Sequence, residues 1–323
     1  MIDRRQLIGL PFLAPLLVAS ARAQGLSTRP VTIVSPYAAG GTSDIIARIL
    51  GEGLHDLWKQ PVLIENRPGA NGAIGVSAVA RAEPDGHTLL AVASSALTLN
   101  PLLYKKLAYD VERDLAPVTV TGLVPNVVVV HPKVPARSLQ ELVAFAKAKP
   151  GGLTYASQGI GSNGQMNAEL FRLATGVPLL HVPYKGSAQA VTDLVGGQVD
   201  LMFDNLPTVL EHIRGAQLRA LAVTSAGRSP LLPDVPTVSE AAIPGFDTAA
   251  WFAVLAPKAT SPMLLAQLET AIASVLARPG SSAKLAAAGV TVAAAGSAEL
   301  SARILHDRKM WSEVIAKAGI AIE

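Results

Sequence analysis

The feature that most constrains the fold is an alternation of short apolar runs with segments of helical period. Residues 31–35, 62–65 and 88–93 are runs rich in β-branched side chains, which is typical of buried strands. Between the first two runs, apolar residues such as Ile46 and Leu50 share one helical face, while charged residues occupy the other. The pattern predicts an α/β fold in which helices pack on a largely parallel sheet.

The alternation restarts at residue 126, which predicts a second α/β lobe. A chain of this length exceeds what one hydrophobic core usually organises, so two lobes are expected. The later run at 251–256 and its helices are too few for a third domain, so the tail is expected to return to the first lobe. The predicted organisation is a signal peptide (1–23), lobe 1 (24–125 plus 249–323) and lobe 2 (126–248), joined by two hinge segments. The strand candidates of lobe 2 are residues 126–131, 153–156, 179–182, 199–203 and 218–223.

The N-terminal segment predicts export. Arg4 and Arg5 precede an apolar stretch at 7–19 that ends in the small-residue triplet 21–23, the pattern of a cleavable signal peptide. The stretch is shorter than the roughly 20 apolar residues that span a membrane. Cleavage would leave Gln24 first and place the protein in the periplasm. The paired arginines leave twin-arginine and general secretory export both open.

Charge and cysteine content limit the classes of binding partner that the protein can have. The chain has 27 Lys and Arg against 24 Asp and Glu, and the signal peptide accounts for Arg4, Arg5, Arg22 and Asp3, so the mature balance is 24 to 23. A nearly neutral surface lacks the basic stripe that nucleic acids require. The chain has no cysteine, which excludes a disulfide and a lipid anchor. We expect a soluble monomer that does not bind nucleic acid.

The first candidate site is the loop between the first strand and the first helix. Its glycines would let backbone N–H groups turn toward an anion, either a phosphate or a carboxylate. No Gly-Lys-Ser/Thr follows, so the P-loop pattern is missing. The alternative is that the glycines only form a tight turn. The candidate residues are Tyr37, Ala38, Ala39, Gly40, Gly41, Thr42 and Ser43.

A second glycine loop lies in lobe 2. Gly159, Gly161 and Gly164 spell G-x-G-x-x-G after a strand and before a helix. A dinucleotide site would also need an acidic residue about 20 positions on, and none stands there. We therefore interpret the loop as a second anion site, with Ser157 and Ser162 adding hydroxyl donors.

Catalytic and metal motifs are missing from the sequence. No serine lies in G-x-S-x-G, no cysteine is available as a nucleophile, and the six histidines do not pair at ligand spacing. We expect no enzyme activity, no metal and no cofactor.

Seven short strings, in order along the mature chain, resemble the Bug family of tripartite tricarboxylate transporter binding proteins. The resemblance implies a type II periplasmic-binding-protein fold, with two α/β lobes and the ligand in the cleft between them. It also implies a carboxylate held by backbone N–H groups and water at two facing loops. The strings are Glu65-Asn-Arg-Pro-Gly69, Pro84-Asp-Gly86, Asn100-Pro101, His181-Val-Pro-Tyr-Lys-Gly186, Gly196-Gly-Gln-Val-Asp200, Phe203-Asp-Asn205 and Leu232-Pro-Asp-Val-Pro-Thr237.

The two facing loops correspond to residues 37–43 and 157–162, and the resemblance suggests more contacts. Two positions depart from the family pattern: Ala39 stands where many relatives have proline, and Gln165 where many have histidine. The turn at 66–69 is interpreted as scaffold. Further ligand contacts are expected from Ser94, Ser95, Asn100 and Asp204, which could alternatively cap helices or turns.

The resemblance implies delivery of a small carboxylate to the membrane subunits of a tripartite tricarboxylate transporter. The acid could be a dicarboxylate, a tricarboxylate, an amino acid or an aromatic acid. An alternative is a periplasmic sensor that presents the bound acid to a membrane kinase. Lys185 could supply a counter-charge to the ligand or pair elsewhere on the surface.

Overall fold

Strands and helices alternate through residues 29–320, the part of the chain that the computed structural model describes. The predicted signal peptide lies outside these residues. The strands are β1 (Val31–Ser35), β2 (Val62–Asn66), β3 (Thr88–Ala93), β4 (Leu115–Val130), β5 (Leu153–Ser157), β6 (Leu179–Pro183), β7 (Leu201–Asn205), β8 (Arg219–Val223), β9 (Ala249–Pro257) and β10 (Thr291–Gly296).

The helices cover both faces of the strands. A 3-10 turn at Ala70–Gly72 lies between β2 and α2. The helices are α1 (Thr42–Trp58), α2 (Ala73–Ala80), α3 (Ser94–Thr98), α4 (Asn100–Leu103), α5 (Val111–Asp114), α6 (Leu139–Ala148), α7 (Asn163–Thr175), α8 (Ser187–Val195), α9 (Leu206–Arg214), α10 (Val238–Ala241), α11 (Pro262–Ala277), α12 (Pro279–Ala287) and α13 (Ser297–Ala318).

Lobe 1 is built on the strand order β2-β1-β3-β9-β4, with β10 paired to β4. The strands β2, β1 and β3 are parallel, whereas β9 runs antiparallel to both β3 and β4. Side chains alternate between two buried clusters, as the pleat of a strand requires. One cluster contains Ile46 and Leu50 of α1, and the other contains Leu300 and Ile304 of α13.

Lobe 2 continues the sheet in the order β4-β7-β5-β6, with β8 also paired to β4. Here β5 is parallel to β6 and β7, while β4 is antiparallel to β7 and β8. Both lobes are therefore mixed rather than largely parallel. The antiparallel pairs all arise where the chain passes between the lobes.

The strand β4 joins the two lobes. Residues 115–125 pair with β9, whereas residues 126–130 pair with β7 and β8. The chain returns through Thr248, whose carbonyl accepts the Thr224 hydroxyl at 2.7 Å. The lobe boundaries after residues 125 and 248 stay a prediction, and this change of pairing partner is the observation that favours them.

Candidate functional site

A cavity of about 50 Å³ lies between the lobes and is lined by residues from both. We call it the inner cavity. Within the described part of the chain, its lining side chains are small, polar or aromatic, and none of them carries a charge. The lining residues are Tyr37, Ala38, Gly41, Thr42, Ser43, Asn71, Ala93 and Ser95, followed by Gln158, Ser162, Asn163, Gly186, Ser187, Asn205 and Phe252.

Four helices begin at the wall of the inner cavity. The residues that precede their first turns are Gly41 for α1, Ser162 for α7, Gly186 for α8 and Asn205 for α9. The first N–H groups of a helix have no intrahelical partner, and the helix dipole places partial positive charge at that end. The cavity thus provides a favourable potential for an anion without a cationic side chain.

The first glycine loop contributes only part of its predicted set to the cavity. Tyr37, Ala38, Gly41, Thr42 and Ser43 line it, while Ala39 and Gly40 are exposed. The Ser43 hydroxyl donates to the Ala91 carbonyl at 2.6 Å, which ties the loop to β3. The Thr42 hydroxyl oxygen is buried and has no partner among the described residues.

The loop is held in shape by Asp44, a residue that sequence reasoning did not single out. Its carboxylate accepts the Gly40 N–H at 3.0 Å, the Arg48 Nε at 2.9 Å and the Asn66 Nδ2 at 3.0 Å. Burial raises the pKa of Asp44, but these donors more than offset it, so the pKa lies below its ordinary value. The Gly40 N–H therefore supports the loop instead of facing the cavity.

Tyr37 and Ser95 form a polar pair on the lobe 1 wall. The Tyr37 hydroxyl lies 3.4 Å from the Ser95 hydroxyl. Burial raises the pKa of Tyr37 to about 12, so the phenol stays neutral and keeps its proton. The pair can present a donor to an anion at any physiological pH.

The second glycine loop directs its amides inward. The Gly161 N–H donates to Gln165 Oε1 at 2.7 Å, and the Gly159 N–H donates to Ser157 Oγ at 3.2 Å. Of the residues predicted in lobe 2, only Ser162 lines the inner cavity. The others, Ser157, Gly159, Gly161, Gln165 and Asp204, do not line it, although Gly159 lines the neighbouring cavity described below.

His181 connects this loop to the lobe 2 core. Its Nε2 lies 2.7 Å from Ser157 Oγ, its Nδ1 lies 3.3 Å from Gln165 Nε2, and its ring stacks on Tyr155 at 4.7 Å. Burial lowers the pKa of His181 to about 4, and the Glu169 carboxylate only partly opposes this. The neutral ring accepts at one nitrogen and donates at the other, which fixes the orientation of the Gln165 amide.

Asp204 is fully buried behind the cavity wall. Its Oδ1 accepts Gln158 Nε2 at 2.5 Å, Ser187 Oγ at 2.9 Å and the Asn205 N–H at 2.8 Å. Burial raises its pKa above the ordinary value, although these donors lower it. Three cavity-lining residues are therefore positioned by Asp204, which does not itself line the cavity.

The remaining predicted residues lie where the lobes meet. The Ser94 hydroxyl accepts Asn163 Nδ2 of lobe 2 at 3.1 Å. Asn100 bonds to Asn71 and to Tyr109 and does not line the inner cavity.

Several lining residues were missed from the sequence. They include Asn71, Asn163, Gly186, Ser187 and Asn205. Gln158 lies inside the predicted second loop but was not named as a contact. Gly186 and Asn205 follow predicted strands, and ligand sites of open α/β sheets gather beyond the carboxyl ends of the strands. That rule could have found both of them.

A second cavity of about 270 Å³ adjoins the first. We call it the outer cavity. It shares Tyr37, Asn71 and Gln158 with the inner cavity and adds the apolar surfaces of Tyr104 and Ile160. Among the residues that the structure describes, Lys185 is the only charged one that lines it.

Residues 29–320 contain neither a metal-binding cluster nor a membrane-spanning helix. No group of three or more His, Cys, Asp or Glu side chains there could hold a metal ion. None of the helices in that range is both long and apolar enough to cross a membrane.

Comparison with known proteins gives consistent matches over nearly the whole chain. The family model described as "Tripartite tricarboxylate transporter family receptor" matches residues 46–320. Protein BugT of Bordetella pertussis is 39% identical over 317 residues, which cover 98% of this chain and 97% of BugT.

Two solved structures carry bound acids. The structure described as "R. palustris Rpa4515 with adipate" has 36% identity and a TM-score of 0.89, and covers 91% of this chain and 98% of that one. MatC from Rhodopseudomonas palustris with bound malate has 30% identity and a TM-score of 0.84, and the match covers 89% of this chain and 99% of MatC.

Proposed function

Because the chain belongs to the tripartite tricarboxylate transporter receptor family, we propose that it captures a small carboxylate between its lobes and delivers it to the membrane subunits of such a transporter. The family and the fold expected from the motif resemblance are both confirmed. The observation that carries the proposal is the inner cavity, where four helix N-termini meet and where no lining side chain from residues 29–320 is charged.

The affinity that such a cavity provides can be bounded. A hydrogen bond to a charged group contributes about 1.5–3 kcal/mol. A micromolar dissociation constant corresponds to about −8 kcal/mol. Three or four bonds to one carboxylate, plus closure over the rest of the ligand, reach this value after ordering costs. A buried arginine is therefore not required.

The outer cavity extends the proposal to dicarboxylates. The inner cavity has room for little more than one carboxylate, so the rest of the ligand would extend past Tyr37 and Gln158 into the outer cavity. There the Lys185 ammonium could approach a second carboxylate. The bound adipate and malate of the two solved relatives support this choice of ligand class. We propose no catalytic step for the protein.

We base the proposed cellular location and the proposed partner on membership of the family. The proposed route is export by the signal peptide of residues 1–23, followed by diffusion of the monomer in the periplasm to the transporter. Loss of labelled adipate uptake in cells that lack the gene, restored by a plasmid copy, is the expected result. Uptake that is unchanged while purified protein still binds adipate would favour the sensory alternative.

The binding proposal is tested by melting temperature in the presence of adipate, malate or acetate, with glycerol as an uncharged control. A ligand that binds only the folded state raises the melting temperature by mass action. Gly41→Val would place methyl groups at the α1 N-terminus, where an added Cβ already lies 3.3 Å from the Ala38 carbonyl. Gly280→Val is the matched control because nothing lies within 4 Å of its added Cβ. A rise in the wild type and in Gly280→Val, and none in Gly41→Val, is expected; an equal rise in all three contradicts the site.

A further inference from the structure

Asn71 occupies a strained position at the edge of the cleft. It follows β2 in the 3-10 turn and has a left-handed backbone, with φ 46° and ψ 43°. The preceding residue, Ala70, also has φ 46°. Non-glycine residues rarely adopt this conformation, although asparagine tolerates it better than most. Strain of this kind persists only where surrounding contacts compensate for it, so the contacts of Asn71 indicate its role.

The Asn71 side chain bridges the two lobes. Its Nδ2 donates to the Gly161 carbonyl of lobe 2 at 2.7 Å and to Asn100 Oδ1 of lobe 1 at 2.9 Å. Asn100 Nδ2 donates back to the Asn71 carbonyl at 3.1 Å and to the Tyr109 hydroxyl at 3.1 Å. Asn71 is thus fixed to lobe 1 by a reciprocal amide pair, and its remaining N–H reaches the second glycine loop.

The surroundings of this contact place it at the passage between the cavities. Asn71 lines both the inner and the outer cavity. A Cβ added at Gly161 would lie 2.9 Å from Leu103 Cδ1, so the two lobes touch closely here. Leu103 and Met166, from opposite lobes, belong to one buried apolar cluster together with Trp311 of α13. Closure therefore brings a hydrogen bond and an apolar contact together at one point.

We propose that Asn71 is an interlobe latch: its amide, bonded to the Gly161 carbonyl, stabilises the closed arrangement of the lobes and so sets how tightly the cleft retains a ligand. Asn71 is therefore a positioning residue: it affects ligand retention by stabilising the closed lobes, and not by interacting with the charge of the ligand. The claim about lobe closure does not depend on ligand identity. The claim about ligand retention rests on the proposed function.

Closure is tested without ligand by a distance between spin labels. The chain has no cysteine, so Leu63→Cys in β2 and Leu180→Cys in β6, both exposed, provide a unique label pair on the two lobes. Asn71→Gly removes the amide and relaxes the left-handed backbone. Lys59→Gly is the matched control, because Lys59 has φ 57° and lies at the end of α1.

We expect Asn71→Gly to lower the ratio of closed to open molecules about three- to tenfold, the range for one lost neutral hydrogen bond. The Lys59→Gly distribution should match the wild type. A wild-type distribution equal to that of Asn71→Gly, or an equal change in Lys59→Gly, would overturn the latch.

Retention is tested with adipate as the probe. Asn71→Asp keeps the side-chain size but turns a carboxylate oxygen toward two carbonyl oxygens, so the dissociation rate of adipate should rise at least tenfold in stopped-flow measurements. Melting temperatures measured without adipate separate this effect from a general loss of stability. Unchanged dissociation in both Asn71 variants contradicts the proposal. If no variant and no wild type binds adipate, the proposed ligand class fails, while the label distances still decide the latch.

Discussion

Gly161→Ala should weaken ligand binding because it obstructs lobe closure. Gly161 has φ +76°, and its added Cβ would lie 2.9 Å from Leu103 Cδ1 and 3.4 Å from Asn71 Nδ2, both in lobe 1. Since the Gly161 N–H is bonded to Gln165, the substitution acts on the contact between lobes and not on an N–H that faces the ligand. Gly176→Ala is the matched control in the same lobe: Gly176 has φ +66° and nothing within 4 Å of its added Cβ.

The free-energy cost of Gly161→Ala has two parts. A left-handed backbone costs a non-glycine residue roughly 1–2 kcal/mol, and both variants incur that cost in the folded state. Crowding in a packed contact costs typically 1–3 kcal/mol, with the lower end expected because Leu103 Cδ1 ends a flexible side chain. Only Gly161→Ala incurs the second cost, and only when the lobes close. At about 1.4 kcal/mol per factor of ten, its affinity should fall about five- to thirtyfold.

Calorimetry with adipate and thermal melting separate the cost of the left-handed backbone from the cost of crowding on lobe closure. Both variants should lose a few degrees of melting temperature, at a little under about 2 °C per kcal/mol for a chain of this size. Only Gly161→Ala should lose affinity. The reasoning is refuted if Gly161→Ala binds as the wild type does, or if Gly176→Ala loses as much affinity.

Three further predictions follow from the site and the sequence. Intact-mass analysis of the periplasmic fraction should give a chain that begins at Gln24; a mass that retains Met1 contradicts export by cleavage. Lys185→Ala should weaken adipate binding severalfold and leave hexanoate binding unchanged, and an equal loss for both acids would remove the second-carboxylate role. Because burial lowers the pKa of His181 to about 4, the unfolded chain binds more protons between pH 6.5 and 4, so stability should fall as pH drops through this window. In urea titrations His181→Gln should reduce that pH dependence, and an unchanged slope would contradict the assignment.

The sequence predicted most strands but missed β10 and the first part of β4, the long strand that joins the lobes. Periodicity located β1, β3, β5 and β6 to within about a residue at each end, because their apolar runs are bounded by turn residues. The first part of β4 contains Pro117, Gly122 and Pro125, which are typical of loops. The structure accommodates the first two at register shifts in the pairing with β9. Pairing across more than a hundred residues does not appear in any local pattern.

Each glycine loop lies between a strand and a helix, and its role as an anion site stays a prediction; the sequence did not indicate that the Gly40 and Gly161 N–H groups are bonded within the chain. Whether the Gly40 N–H faces a ligand depends on Asp44, and whether the Gly161 N–H does depends on Gln165. Each of these bonds forms four residues along the chain, where a side chain of another type would have left the amide free. The assignment of residues 66–69 to scaffold remains a prediction, and it stopped two residues short of Asn71.

The distribution of donors between the lobes explains how binding and release can share one site. On the proposed function, α1 contributes N–H donors from lobe 1, while α8 and α9 contribute theirs from lobe 2. At α7 the Gly164 and Gln165 N–H groups are already bonded to the Gln158 and Ser162 side chains, so this helix contributes mainly its dipole. Opening the lobes separates these donors, so a carboxylate keeps only part of its hydrogen bonds and regains water. Losing two bonds of about 1.5–3 kcal/mol each would weaken retention at least a hundredfold. A cationic side chain inside the inner cavity would stay with one lobe and hold the acid in both states, whereas Lys185 lies exposed at the outer cavity, where solvent screens its charge. A cavity built from uncharged residues and helix N-termini therefore suits a protein that must bind its acid tightly when closed and give it up when a transporter opens it.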